Sequence, residues 1–267
     1  MASPAAIAIG AHPDDIEFYM AGTLLLLQRA GYETHYFNLA SGNCGSARES
    51  SAPTRARRQK EARAAASVLM AQFHPCLTDD LEIMYEIGLL RQVAAVIRAV
   101  RPNIILTHSP VDYMEDHTNT CRLVVTASFA HGMPNFRTTP RQRAIDLETT
   151  IYHCMPHGLR EPLRKRVVPG CFVNASGVLS IKRQALSQHR SQKDWLDASQ
   201  GLDSYVATME SLSREVGRMS RRFAHAEGWR RHLHLGFSAT DHDPLRIALG
   251  NDCFINAAYE RRLENQF

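Results

Sequence analysis

The sequence predicts an α/β protein with a mainly parallel β-sheet. Short apolar runs, which are typical of buried strands, alternate with longer segments that have the length or the apolar spacing of helices. Two of the longer segments stop at Gly31 and Pro102, and both residue types commonly end helices. This alternation favours parallel strands joined by right-handed helical crossovers. Ligand sites in such sheets lie at the carboxyl ends of the strands, so we expect functional residues directly after strands.

The first half of the chain contains the clearest elements. An apolar run at 5–11 predicts a buried strand, whereas the apolar segment 16–30 is too long for a strand and predicts a helix. In segment 86–101 the apolar residues recur every three or four positions, which also predicts a helix. The expected strands of this half lie at 5–11, 33–40 and 103–107, and the expected helices lie at 16–30, 55–70 and 86–101.

The second half of the chain has a weaker pattern and is expected to extend the same sheet. The segment from Ser204 to about Arg231 predicts one long helix, in which apolar residues alternate spacings of three and four. Core packing usually explains such a stripe, and a homo-oligomer interface is the alternative. The other elements expected here are strands at 149–154 and 170–173 and a helix at 179–189.

The composition excludes several classes of protein. The chain has 267 residues, of which 44% are apolar and 22% charged, so it resembles soluble globular proteins and not disordered ones. No apolar run reaches the roughly 18 residues that a membrane-spanning helix needs. The net charge of +4 is too small to indicate a nucleic acid or a membrane as partner. Because the first residues lack a basic segment and the six cysteines form no CxxC pair, we expect a cytoplasmic protein with reduced thiols.

A candidate metal site follows the first expected strand. His12-Pro13-Asp14-Asp15 lies at the sheet edge where small-molecule sites form. A catalytic zinc-type ion usually takes three nitrogen or oxygen ligands from the protein and leaves one position for water. His12 and Asp15 can supply two of these ligands, and Asp14 between them can face the water instead. Aspartates ahead of a helix also serve as N-caps, so spacing alone leaves metal binding and capping equally open.

A third ligand is expected after another strand. The segment 108–117 follows the strand expected at 103–107 and ends in His117, which is our candidate. The chain has 13 histidines, and most of them are expected to be hydrogen-bonded core or surface residues. His12 and His117 are the two that we assign to the metal, because each belongs to a segment that follows a strand and contains carboxylates.

Five segments resemble motifs of the LmbE-like, PIG-L-type N-deacetylases. The segment 11–17 matches the family's AHPDD signature with its following glutamate, and 112–117 stands where the family carries a motif ending in HPDH. The other three segments are 58–62, which resembles the family's RxxEA helix, 101–108, which resembles its RPxxxxTH strand, and 182–192, which resembles its KxxAxxxHxSQ segment. The five motifs occur in the family's order over nearly the whole chain. The resemblance therefore implies a single domain over residues 1–267, with a core at about 1–150 and a sheet extension with a long helix at about 151–267.

The resemblance implies a Rossmann-like fold with helices on both faces of the sheet and one zinc ion at the carboxyl ends of the strands. His12, Asp15 and His117 would be the metal ligands, and Asp14 would be the general base. Iron or manganese would accept the same ligands. Enzymes of this family hydrolyse acetamides, so the expected substrate is a small N-acetylated amino sugar, such as an N-acetylglucosamine derivative, or a sugar conjugate.

Two further motif residues acquire roles from the resemblance. Arg58 matches a family arginine thought to lie near the substrate, whereas the basic residues around it are expected to form a solvated helix face. Asp116, beside His117, is a candidate for a carboxylate that hydrogen-bonds to a metal-ligating residue without touching the metal, and the alternative is an ordinary loop aspartate.

One position departs from the family pattern. Met114 occupies the first position of the HPDH motif, where a family histidine is thought to stabilise the oxyanion, and we expect it at the substrate. A thioether cannot donate a hydrogen bond, so an efficient enzyme needs another donor. His157, which follows a later expected strand, is our first candidate for this donor, and His108 is the second.

Three other functions remain as alternatives. A dinucleotide-dependent oxidoreductase would suit the fold class, but the first strand is not followed by a GxGxxG motif. A metal-binding relative with weak or no catalysis is the second alternative, because Met114 replaces the oxyanion histidine. An amidase acting on a sugar conjugate is the third, since the same residues would serve it.

Overall fold

The structure is a computed structural model that describes residues 3–192 and 205–264. Within them, eight strands form one sheet. The strands are β1 Ala5–Gly10, β2 Glu33–Asn38, β3 Gln72–His74, β4 Ile104–Thr107, β5 Thr150–Cys154, β6 Cys171–Asn174, β7 Ala226–Arg231 and β8 Cys253–Ile255. The helices are α1 Asp15–Tyr19, α2 Ala21–Arg29, α3 Ser51–Val68, α4 Ile87–Val100, α5 Glu115–Phe129, α6 Leu179–Leu186, α7 Tyr205–Ser220, α8 Pro244–Leu249 and α9 Ala257–Glu264.

The sheet has the strand order β3-β2-β1-β4-β5-β7-β6-β8. The first five of these strands are parallel to one another, whereas β7, β6 and β8 add an antiparallel extension beyond β5. The prediction of a mainly parallel α/β sheet is therefore confirmed. Helices cover both faces of the sheet. Successive β1 residues pack alternately into two apolar clusters, one on each face. Ala6 and Ala8 contact the cluster that contains α2 residues, and Ile7 and Ile9 contact the cluster that contains α4 residues.

The helix expected at 16–30 is divided into α1 and α2 at Met20. The break has a long-range cause. The buried carboxylate of Glu227, on β7, accepts hydrogen bonds from the backbone N–H groups of Gly22 and Thr23 at 2.8 and 2.7 Å. In one continuous helix these two groups would bond to carbonyls of the preceding turn. Glu227 thus starts a new helix, and its charge is balanced by the buried Lys182.

The prediction of one long helix from 204 to 231 is wrong in its second part, and Ser204 itself lies outside the described residues. α7 ends at Ser220, whose hydroxyl accepts hydrogen bonds from the N–H groups of Arg222 and Phe223. The chain then enters the sheet as β7, where Trp229 is fully buried. The apolar stripe of α7 is explained by core packing, because it joins two apolar clusters.

The other expected elements are present with ends shifted by a few residues, whereas the helices α5, α8 and α9 and the strands β3, β7 and β8 were not expected. β3 and β8 have three residues each, too few for an apolar pattern to identify them. None of the described helices combines the length and the apolar character that crossing a membrane requires.

Candidate active site

The site lies at the carboxyl ends of β1 and β4, which are neighbours in the sheet. Ile9, next to the end of β1, pairs with Thr107, the last residue of β4. His12 and Asp15 follow β1, and His117 lies in the first turn of α5 after β4. The structure thus brings the three expected metal ligands to one edge of the sheet, although the sequence did not predict the helix that carries His117.

One nitrogen or oxygen atom from each of His12, Asp15 and His117 lies within 4.8 Å of the other two. The Nδ1 atom of His12 is 3.6 Å from Oδ2 of Asp15, and Nε2 of His117 is 3.4 Å from Oδ1 of Asp15. All three side chains are largely buried. Two imidazoles and one carboxylate in this arrangement are a donor set that zinc accepts, with room for a fourth ligand.

The outer nitrogen of each imidazole is held by a second carboxylate. The Nε2 atom of His12 is 2.8 Å from Oδ2 of Asp116, and Nδ1 of His117 is 3.1 Å from Oδ1 of Asp112. Histidine ligands of metals are usually held in this way, so the residues fit a bound metal. Asp116 therefore hydrogen-bonds to His12 and not to its sequence neighbour His117. Asp112 was not singled out by the sequence, although it stands in the same motif.

The carboxylates strongly favour positive charge at this point. Burial would lower the pKa of His12, but its bonds to Asp116 and Asp15 outweigh burial and raise the pKa to about 10. Burial would likewise lower the pKa of His117, but the interactions with Asp15 and Asp112 outweigh burial and raise the pKa to about 9. In the metal-free protein these two rings are consequently protonated near neutral pH. A metal cation that bound between them would replace these protons.

Asp14 adopts an unusual backbone conformation, with a φ angle of 108°, and its side chain does not cap α1. Its Oδ2 atom instead accepts a hydrogen bond from the hydroxyl of Tyr205 and lies 3.6 Å from Nη2 of Arg58. Burial is the main cause that raises the pKa of Asp14, and Arg58 opposes it. The strained backbone directs this carboxylate to the same cavity as the three candidate ligands.

A cavity of about 540 Å³ opens over the candidate metal ligands, a size suited to a small-molecule ligand. Met114 and His157 both lie in its wall, as does Arg58. The lining residues are His12, Asp14, Asp15, Phe18, Tyr19, Cys44, Gly45, Arg58, Asp80, Leu81, Tyr113, Met114, His117, His157, Gln192, Tyr205 and Thr208.

A second group of possible metal ligands, His108, Asp112 and His117, shares one residue with the first. All three of these side chains are buried, and neither His108 nor Asp112 lines the cavity. A catalytic metal must keep a position open to substrate, which the His12, Asp15 and His117 group provides.

His108 is engaged within the protein and does not suit the role of an oxyanion donor. Its Nε2 atom lies 2.9 Å from the backbone nitrogen of Ala11, which donates to it, and its ring stacks on His117 with the centroids 4.0 Å apart. Burial lowers the pKa of His108, so the ring is neutral. The second candidate for the oxyanion donor is therefore disfavoured by geometry.

Several motif residues form buried contacts between distant segments and do not line the cavity. Glu17 is 3.0 Å from Nε2 of His189, and Glu61 accepts hydrogen bonds from the backbone and hydroxyl of Ser191. These contacts join α1 and α3 to the segment after α6. They connect segments that form the cavity walls.

Comparison with known proteins agrees with the motifs. Residues 7–128 match a family described as PIG-L: GlcNAc-PI de-N-acetylase. The diacetylchitobiose deacetylase of Thermococcus kodakarensis is 27% identical over 193 residues, which make up 70% of this chain and 69% of that protein.

Two solved structures share the fold at low sequence identity. The N,N'-diacetylchitobiose deacetylase from Pyrococcus horikoshii has a TM-score of 0.72 and 21% identity, with 91% of this chain and 89% of that chain covered. The 4-carboxy-2-hydroxymuconate hydratase GalB from Pseudomonas putida KT2440 also has a TM-score of 0.72, with 20% identity and coverage of 90% and 99%. The same architecture therefore carries more than one reaction, and the fold alone does not identify the activity.

Proposed function

We propose that this chain, whose residues 7–128 match the family described as PIG-L: GlcNAc-PI de-N-acetylase, is a metal-dependent hydrolase that removes the acetyl group from an N-acetylated amino sugar or sugar conjugate. The observation that carries this proposal is the group formed by His12, Asp15 and His117 at the cavity, with Asp14 beside it. Zinc is the metal that two imidazoles and one carboxylate suit best, and iron or manganese are the alternatives. When bound, the metal would polarise the amide carbonyl and lower the pKa of a water molecule.

Asp14 is proposed as the group that moves protons. It takes a proton from the attacking water and returns it to the nitrogen of the leaving amine. The raised pKa of this buried carboxyl suits both steps, because the group must bind a proton and release it in each cycle. Tyr205 and Arg58 hold Oδ2, which leaves Oδ1 to face the water.

His157 is proposed as the hydrogen-bond donor to the oxyanion. It lies in the cavity wall together with Met114, whose side chain can contact the substrate only by apolar packing. Arg58 is proposed to bind the sugar, because its side chain lines the cavity and is the only Lys or Arg among the described lining residues.

The charge of the cavity does not specifically favour a polyanion. Asp14, Asp15 and Asp80 line it, and Arg58 is the only Lys or Arg among the described lining residues, so a bound divalent cation would bring these charges close to balance. The names of the two diacetylchitobiose deacetylases support an N-acetylated sugar as the substrate.

Residues from both halves of the chain line the cavity, since His12 comes from the first half and His157 and Tyr205 come from the second. We therefore propose that residues 1–267 form one catalytic domain acting on a small molecule. The described cysteines are free thiols, which supports the expected cytoplasmic location. A homo-oligomer stays a prediction.

Acetate release tests the proposed reaction. The protein, loaded with zinc, iron or manganese, is incubated with N-acetylglucosamine and with N,N'-diacetylchitobiose, and acetate and free amine are measured together. We expect equal amounts of both products. The substitution Asp14→Asn should lower turnover by about 10²- to 10⁴-fold with the metal retained, whereas the exposed Asp146→Asn should not. Metal retention without acetate release in any of these assays would instead favour a non-catalytic metal-binding protein.

A further inference from the structure

Tyr19 and His157 come from distant parts of the chain and meet in the cavity wall. Tyr19 is the last residue of α1, and His157 follows β5. The hydroxyl of Tyr19 is hydrogen-bonded to Nδ1 of His157, and the two rings are nearly perpendicular, with centroids 6.2 Å apart. The Tyr19 side chain is almost fully buried, so packing fixes the position of its hydroxyl.

The direction of this hydrogen bond follows from the partners available. Among residues 3–192 and 205–264, the Tyr19 hydroxyl has no hydrogen bond other than the one to His157. If the imidazole donated, the phenolic proton would be buried without an acceptor, which is unfavourable. Burial also raises the pKa of Tyr19 well above its ordinary value, so the phenol keeps its proton. Tyr19 is therefore the donor, and Nδ1 of His157 accepts.

The surroundings of His157 keep the ring neutral. The rings of Phe18 and Tyr113 lie against it, each with a centroid distance of 6.1 Å. Burial lowers the pKa of His157. The charged groups that act on it are Asp15, His117, Asp112 and Asp14. A neutral imidazole whose Nδ1 accepts a hydrogen bond carries its proton on Nε2. Nε2 has no hydrogen-bond partner within the described part of the chain.

We propose that Tyr19 is a positioning residue that fixes the tautomer and the ring orientation of His157, so that the Nε2–H group is directed to the substrate carbonyl. This inference rests on the proposed deacetylation. It explains how the chain can supply the donor that Met114 lacks, because the hydrogen bond comes from a neutral ring whose proton is on the correct nitrogen. Tyr19 does not touch the reacting atoms and acts only through His157.

The substitution Tyr19→Phe tests the proposal, since it removes the hydroxyl and keeps the ring. In ¹⁵N NMR spectra of the metal-loaded protein, the Nδ1 signal of His157 should move toward that of an imidazole nitrogen without a hydrogen bond. The pKa of His157 should rise by roughly 0.5 to 1, because a bond to the neutral form has been lost. Tyr152→Phe is the control: Tyr152 is also buried, and its hydroxyl bonds to Asp243, outside the cavity.

Turnover gives a second measurement. Tyr19→Phe should lower kcat by about 2- to 10-fold with little change in KM, which corresponds to the net free energy of one hydrogen bond. His157→Ala should lower kcat by about 10²- to 10³-fold, and adding Tyr19→Phe to it should have no further effect.

Three outcomes would overturn the proposal. They are unchanged His157 NMR signals in Tyr19→Phe, the same change in Tyr152→Phe, and additive effects of Tyr19→Phe and His157→Ala on kcat. The NMR measurement does not need turnover. If the wild-type protein released no acetate, the proposed function would fail while the link between Tyr19 and His157 could still be tested.

Discussion

Replacing Asp112 by asparagine should weaken metal binding even though Asp112 does not touch the metal position. The side chain of Asp112 is 1% exposed, and its Oδ1 atom is 3.1 Å from Nδ1 of His117. Burial would raise the pKa of Asp112, but the hydrogen bond and the charge of His117 outweigh burial and lower it. The interaction is thus stronger than the cost of removing the carboxylate from water.

The size of the effect follows from what asparagine keeps. Asparagine can still accept the hydrogen bond through its Oδ1 atom, so the orientation of His117 is largely preserved. It lacks the negative charge that makes the imidazole a better ligand. Removing a carboxylate behind a histidine ligand typically costs about 10- to 100-fold in metal affinity, or about 1.4 to 2.7 kcal/mol.

The assay is a zinc titration in competition with a chromophoric chelator at constant pH. Glu115→Gln is the matched control, because Glu115 lies on the same segment and carries the same charge but is exposed. If Asp112→Asn bound zinc as tightly as Glu115→Gln, the role of the carboxylate behind His117 would be refuted. Equal weakening in both variants would indicate a general charge effect and would also contradict the argument.

Two predictions concern protons. Metal binding at pH 7 should release about two protons, because His12 and His117, with pKa values of about 10 and about 9, must lose them to become ligands. Calorimetry in buffers of different ionisation enthalpy measures this number, and a value of zero would contradict the pairing with carboxylates. Burial lowers the pKa of His153 to about 4. As the pH falls through about 6.5, His153 becomes protonated in the unfolded chain but stays neutral in the folded chain, so the free energy of unfolding decreases. From pH 7 to pH 5 the metal-free wild type should lose about 2 kcal/mol more unfolding free energy than His153→Asn, and urea titrations that give equal losses would count against it.

The parts of the fold that the sequence predicted are those specified by local patterns. β1 and β4 are continuous apolar runs because both faces of a parallel sheet are buried. α4 was predicted from its apolar spacing, and it ends at Arg101 in a left-handed conformation directly before Pro102.

The errors have long-range causes. The break between α1 and α2 depends on Glu227, which lies more than 200 residues further along the chain than Gly22. β7 was taken for the end of a helix because its sequence, with Trp229 preceded by a glycine and followed by two arginines, does not alternate as a half-exposed strand would. Its place in the sheet is set by pairing with β5 and β6, which no local window contains.

In the candidate site too, local patterns in the sequence predicted some residues, whereas contacts between distant segments determine others. His12 and Asp15 lie three residues apart on one turn, so the sequence alone could suggest them, and His117 follows the next strand of the sheet. The contact between Tyr19 and His157 joins positions 138 residues apart. The place of His157 after an expected strand made it a candidate donor, whereas nothing in the sequence indicated Tyr19. The motifs show that Met114 replaces the histidine donor, but they do not show how a substitute donor is held in position. In the cavity wall His157 is hydrogen-bonded to the buried Tyr19, so in our proposal the metal ligands come from sequence motifs and the oxyanion donor is positioned by tertiary packing. Substitutions at Tyr19 should therefore alter turnover, whereas those at Asp112 should alter metal affinity, and the two effects should be independent because the residues share no hydrogen bond.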